Sequence, residues 1–434
     1  MKSLPCILIA CSLLVIATEE SVAAPVVDGT AVGDEMYYGA ARSVQNTNTQ
    51  YGNATNGDFR YANGGSEIDQ VFATITGDRL YVLIAGNLES NFNKLEIFID
   101  AMPGGMNQLV GSNLPAEVDP YCCPGSSPST GALQQLHGLR FDAGFEADRY
   151  VTFSNGNHQF GDPMNPVDIY TLSAFYADLT AGAGGQKSEI GFQRNAFGFE
   201  PGLAQGEPID QFNNGCSSPA DTSCNPAEHE FAEPVDTVND PNNTRGHRDL
   251  ANDIGFLMAI NNSNTQGVVS GSGPTGGDPQ NVMTGIEFSL PLAELGNPTG
   301  PVKIAAFIGN GSHSHLSNQF AGVGILQGNL GNNFGSINLA NIPGEQFVTA
   351  TRSADFNRDG IVDGRDFLVW QRSPATGSLA DWQANYGSPN SLRANTTTVP
   401  EPSAFALFVV AGIFAFAALP RESTQQDSST TTQG

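Results

Sequence analysis

Val71-Phe72-Ala73-Thr74-Ile75-Thr76-Gly77-Asp78-Arg79-Leu80-Tyr81-Val82-Leu83-Ile84 places two runs of β-branched, aromatic and aliphatic residues on either side of a Gly-Asp pair. Such runs favour the pleated strand, and Gly-Asp between them is turn chemistry. The stretch therefore predicts a β-hairpin. Its pattern recurs at residues 95–99, 150–153, 169–176, 254–260, 285–290 and 302–308, with Gly, Asn, Pro and Asp between the runs. Several of these runs alternate apolar and polar residues, as half-buried strands do. No long segment with a helical period interrupts residues 25–350. The expected fold class is mainly β: a large antiparallel β-sandwich over residues 25–350.

The chain carries a formal net charge of −26. A surface this acidic repels nucleic acid and anionic lipid, and favours cations and neutral ligands. Gly (50) and Pro (26) make up under a fifth of the 434 residues, below the share that marks disordered chains. No solenoid-type repeat is present.

Residues 1–24 have the form of a secretory signal. Lys2 precedes an apolar stretch, and Val22-Ala23-Ala24 offers small residues for cleavage before Pro25. The competing lipoprotein reading, Leu8-Ile9-Ala10 ahead of Cys11, would cut that apolar stretch in half. Removal of the signal leaves Cys122, Cys123, Cys216 and Cys224. In an exported protein these are expected as disulfides, with three possible pairings. Adjacent cysteines bond each other only with strain, so Cys122 and Cys123 are each expected to reach toward Cys216 and Cys224. All four lie in long irregular insertions, about 101–140 and 200–248, which read as cross-linked loops with little core of their own.

After the sandwich comes Asp355-Phe356-Asn357-Arg358-Asp359-Gly360-Ile361-Val362-Asp363-Gly364-Arg365-Asp366. Oxygen side chains fall at loop positions 1, 3, 5, 9 and 12, with Gly at 6, the spacing by which a twelve-residue loop wraps a hard cation. Asp355, Asn357, Asp359 and Asp366 would ligate directly, Ile361 through its carbonyl, and Asp363 directly or through water. The oxygen set points to Ca2+. Two apolar, helix-like runs follow, one from Phe367 and one from Leu379 to Gly387. Trp370 and Trp382, the only tryptophans of the chain, are expected to form the core of this unit, residues 351–395.

A polar linker then leads to Val399-Pro400-Glu401-Pro402-Ser403 and an apolar run from Ala404 to Leu419, with Arg421 beyond it. The run falls just short of an unaided membrane span. It reads as a membrane-contacting sorting segment or marginal anchor.

Three stretches resemble known families. The 355–366 loop and its following helix resemble one calcium repeat of a type I dockerin, a form found in exported proteins of planctomycete-type bacteria. Asp at position 12 suits that pattern, and the second repeat has no recognisable calcium loop. This resemblance implies a bound Ca2+ and a cohesin-like partner. Residues 399–421 resemble the PEP-CTERM sorting signal, which implies processing by an exosortase-type enzyme and delivery to the envelope or extracellular matrix. A polar tail follows where most members stop. The payload resembles the family 9 carbohydrate-binding-like β-sandwich in Val27-Asp28-Gly29, in 80–84, in 95–100 and in 285–291. That resemblance implies strand order more than ligand, since the family's paired tryptophans are absent from this domain.

Other chemistry-bearing groups read as ordinary surface. His313-Ser314-His315 would place two imidazoles on one strand face, with no third metal ligand in view. It reads as a surface pair. Glu228-His229-Glu230 reads as solvated loop. Asp142, Glu146 and Asp148 could supply a glycosidase carboxylate pair, against the plainer reading of an acidic surface turn. Tyr37, Tyr38, Tyr51 and Tyr61 could stack sugars, against a plainer reading as packing. No G-x-S-x-G, H-E-x-x-H or P-loop pattern occurs. The functional expectation is an exported, non-catalytic envelope or matrix protein. A carbohydrate-binding module and a secreted glycoside hydrolase are the alternatives.

Overall fold

The computed structural model describes residues 24–52, 65–114, 118–119, 131–160, 167–180, 190–197, 247–250, 254–322, 328–352, 354–357, 361–373 and 379–387. Residues 1–23 of the signal segment, the four mature cysteines, Glu228-His229-Glu230 and the 404–419 run lie outside these residues.

Two sheets form the molecule. The first holds β1 (Ser43–Val44), β2 (Glu67–Thr76), β3 (Arg79–Asn87), β9 (Leu257–Ile260) and β10 (Gly285–Pro291), in the order β1-β2-β3-β10-β9. The second runs β12-β11-β4-β5-β6-β7-β8. Its members are β4 (Asn91–Asp100), β5 (Arg149–Phe160), β6 (Val167–Asp178), β7 (Ile190–Phe197), β8 (His247–Asp249), β11 (Val302–Gly309) and β12 (Leu316–Phe320). A short strand, β13 (Val348–Ala350), also pairs with β11. Every pairing is antiparallel except that of β7 with β8. Four helices are described: α1 (Glu35–Tyr38), α2 (Ala132–Gln135), α3 (Gly364–Arg372) and α4 (Leu379–Asn385).

The expected hairpin is β2–β3. Its two-residue loop has Gly77 at φ +60°, at the position where a type II′ turn takes glycine because a Cβ is disfavoured there. Each other run read as a strand also lies on one. Only β9 begins later than read, because Phe256 N–H still turns back to Leu250 O (2.7 Å).

Alternate residues of both sheets meet in one core. Leu80, Val82 and Ile84 of β3 face Leu95, Ile97 and Ile99 of β4, with Phe153, Phe256 and Phe288 between them. The expectation of half-buried strands fails, since β3 is buried at every residue after Arg79. The outer faces are roofed by chain that is not itself sheet. Residues 24–41 cover Phe72, Tyr81 and Leu83. Residues 106–114, Val118, 132–147 and 330–347 cover Phe98, Tyr150 and Phe307. The described part of the first long insertion is therefore no coreless loop: Leu109, Leu133, Leu136 and Leu139 are all fully buried. Sequence alternation could not reveal this, because the roofs arrive from distant segments.

Candidate functional site

The 355–366 loop leads into α3, and its acids are placed by backbone hydrogen bonds. Asp363 caps α3 by accepting from Arg365 N–H (2.7 Å), and Asp366 closes the capping box through Asp363 N–H (2.7 Å). The second Asp366 oxygen accepts from Asn357 N–H (2.9 Å). Asp366 is fully buried and Asp355 is 6% exposed. The Ile361 side chain points to solvent at 49% exposure, so its carbonyl is the only ligand it can offer. Asp359 lies outside the described residues. Among the described residues no three His, Cys, Asp or Glu side chains are grouped to hold a metal. The donors fit a hard cation nonetheless: Asp366 accepts one N–H per oxygen, which leaves each oxygen lone-pair capacity, and the loop's side chains offer oxygen rather than nitrogen or sulfur.

The helices pack on this loop through aromatic contacts. Phe367 lies 5.7 Å from Trp370 and 5.0 Å from Trp382, and Trp382 lies 4.9 Å from Tyr386. Trp382 Nε1–H donates to Asp363 O (2.8 Å), and Gly387 N–H to Val362 O (2.9 Å). Trp382 is thus packed against the loop's exit, and Trp370 meets Phe367 of the same helix.

A second constellation sits on the outer face of the larger sheet. His313, read as a surface residue, is fully buried. Its backbone is left-handed at φ +55°, so the 313–315 segment is a turn between β11 and β12 rather than a strand. Nδ1 lies 2.7 Å from Glu96 Oε1 and Nε2 lies 3.0 Å from Asp119 Oδ2. Glu96 also accepts from Tyr150 O–H (2.5 Å), and Lys94 Nζ donates to Asp119 Oδ2 (2.6 Å). Burial alone would push His313 down, but Glu96 and Asp119 outweigh it and carry it up to about 9. Burial likewise works to raise Asp119, yet Lys94 and His313 hold it well below the usual carboxylate range. Two cations and two anions balance, as a buried ionic cluster requires. Sequence reasoning missed this cluster because its members are scattered along the chain.

The remaining carboxylates hold backbone. Asp148 is fully buried and accepts from Ala101 and Met102 N–H, each at 2.6 Å. Asp142 is also buried, and accepts from Ala143 (2.7 Å) and Gln346 N–H (3.2 Å). Only Glu146 of that trio is exposed, so the reading of an acidic surface turn is corrected. Asp69 Oδ1 accepts from Val268 N–H (2.7 Å) and Oδ2 from the Asn264 amide (3.0 Å). Its burial pushes its carboxyl up to about 8. Glu287, raised by burial to about 7, takes the Tyr38 hydroxyl (2.5 Å) and the Asp28 and Gly29 N–H groups.

The structure does not gather the tyrosines into one platform. Tyr38 is buried against Phe72, Tyr37 is half-buried, and Tyr61 lies outside the described residues. Tyr51 packs on the core and is stacked by His315 at 6.0 Å and 14°. Among the described residues no helix is long and apolar enough to cross a membrane. No family model matches the sequence, and neither a curated protein nor a solved structure matches it.

Proposed function

We propose that this is an exported, non-catalytic component of the cell envelope or extracellular matrix. Its β-sandwich is followed by a dockerin-like unit that Ca2+ stabilises, and the 404–419 run sorts it to its destination. The observation that carries the calcium reading is the burial of Asp355 and Asp366 at opposite ends of the loop. Buried carboxylates that converge on one loop favour a cation between them. Asp359 and Asp363 complete the oxygen set, with the Asn357 side chain and the Ile361 carbonyl. The non-catalytic reading is supported by Asp142 and Asp148, which hold backbone N–H groups instead of facing each other across a cleft.

Trp370 and Trp382 are the only tryptophans of the chain, so tryptophan emission of the whole protein reports this unit alone. Calcium added to chelated protein is expected to shift that emission and to bind with measurable heat. Asp359→Ala is expected to abolish both effects. Emission and calorimetric trace that ignore calcium and chelator alike would overturn the proposal. A cohesin-like protein or a neutral polysaccharide is the partner class, and a glycan array separates the two.

A further inference from the structure

We propose that Lys94 and Asp119 are joined by an intramolecular isopeptide bond, formed by the protein itself. Lys94 Nζ and Asp119 Oδ2 stand 2.6 Å apart, with Lys94 5% and Asp119 7% exposed. An amine and a carboxyl held in this contact have the proximity that turns a bimolecular condensation into an intramolecular one. His313 aims Nε2 at the same Asp119 oxygen, and Glu96 holds the other ring nitrogen. Tyr150 closes the network at Glu96. Asp119 and His313 both hold left-handed backbone, at φ +41° and +55°, the kind of local strain that collects where chemistry is arranged.

The steps balance without a co-reactant. The ion pair is the starting form. One proton moves from Nζ to Asp119 Oδ2 along their hydrogen bond, giving an amine and a carboxylic acid. The Nζ lone pair then forms a bond to Asp119 Cγ. Negative charge develops on Oδ1, while Oδ2, now the hydroxyl, keeps its hydrogen bond from His313 Nε2–H, which holds it in place as the leaving group. When the tetrahedral adduct collapses, the C–O bond to the hydroxyl breaks. The departing hydroxyl takes the second proton from nitrogen and leaves as water. An amide remains between Nζ and Cγ. It ties the edge of the cysteine-bearing insertion to the middle of the larger sheet, in a form that reductant cannot undo.

Trypsin provides the test on the full-length protein, reduced and alkylated after purification. Cleavage at Arg79, Lys94 and Arg140 yields fragments 80–94 and 95–140. An amidated Lys94 is not cut, so the expected product is a single fragment 80–140, lighter than its sequence by one water. A succinimide cannot mimic this loss at Asp119, because residue 120 is proline and has no N–H to attack the side chain. Lys94→Arg keeps the charge but offers no comparable nucleophile, and is expected to be cut at position 94 with no mass deficit. Asp119→Asn is expected to retain the bond and lose ammonia in place of water. Wild-type protein that is cut at Lys94 into two unmodified fragments would overturn the proposal. So would a water deficit that persists in Asp119→Ala.

Discussion

His313 shows how much of this protein is decided one residue at a time. Its ring bridges Glu96, 217 positions away, to Asp119, 194 positions away. Removing its ring leaves the buried Glu96 carboxylate without its cation, so His313→Ala is expected to cost about 3–5 kcal/mol in urea denaturation. Tyr150→Phe removes one neutral donor from Glu96 and should cost only about 1–3 kcal/mol. The pH dependence follows from the same residues. His313 rises from 6.5 to about 9 on folding, so its contribution is complete below 6.5 and lost as pH climbs through 9. Asp69 rises from 3.8 to about 8, so its contribution is complete below 3.8 and is lost as pH climbs to 8. The melting temperature is therefore expected to fall between pH 7 and 9, and Asp69→Asn should flatten the part of that slope below pH 8. None of this was legible in the sequence. His-Ser-His reads as a strand pair unless the left-handed turn is known, and partners two hundred residues apart leave no local pattern.

The strands were far more legible than the groups they carry. A run of Val, Ile, Leu and Phe bounded by Gly and Asn declares a strand whatever lies beyond it, and the β2–β3 hairpin was readable to its turn. Missed were short strands such as β1 and β13, too brief to show a period, and β12, whose Leu-Ser-Asn-Gln-Phe is mostly polar yet buried throughout. The oxygen spacing of the 355–366 loop was legible in the sequence, but the capping role of Asp363 and Asp366 appears only once α3 exists. The hairpin's two glycines give a graded test. Gly77 has a positive φ but open space around it, so Gly77→Ala should cost only about 1–2 kcal/mol of backbone strain. At Gly86, φ is +144° and a Cβ would stand 2.2 Å from Glu67 O. Backbone must shift to admit it, and Gly86→Ala should cost about 3 kcal/mol, near the upper end for overpacking. Urea midpoints of the two variants, compared at one pH, check the order.

At the scale of the molecule, the outer face of the smaller sheet is roofed at β2 and β3 and that of the larger sheet at β4, β5 and β11, so these parts of the faces that open sandwiches use for ligands are occupied by the protein's own chain. Loops at the ends of the sandwich remain for contact with partners. The 404–419 run is expected to be cleaved off or to stay in the membrane, because so apolar a terminus aggregates in water. Intact mass of protein recovered from its native envelope decides between these fates, and freely soluble protein with a full-length C-terminus would contradict both. The way the chain leaves the sandwich has a mechanical consequence. Residues 348–350 pair with β11 of the larger sheet, and the next two meet the smaller one. Thr351 O accepts from Ile75 N–H (3.0 Å), while the Arg352 guanidinium grips Gly77 O (3.0 Å) and Pro298 O (3.3 Å). Tension on the C-terminal end of the chain therefore reaches both sheets through neighbouring residues. The body that bears the load is the whole sandwich, not its last strand.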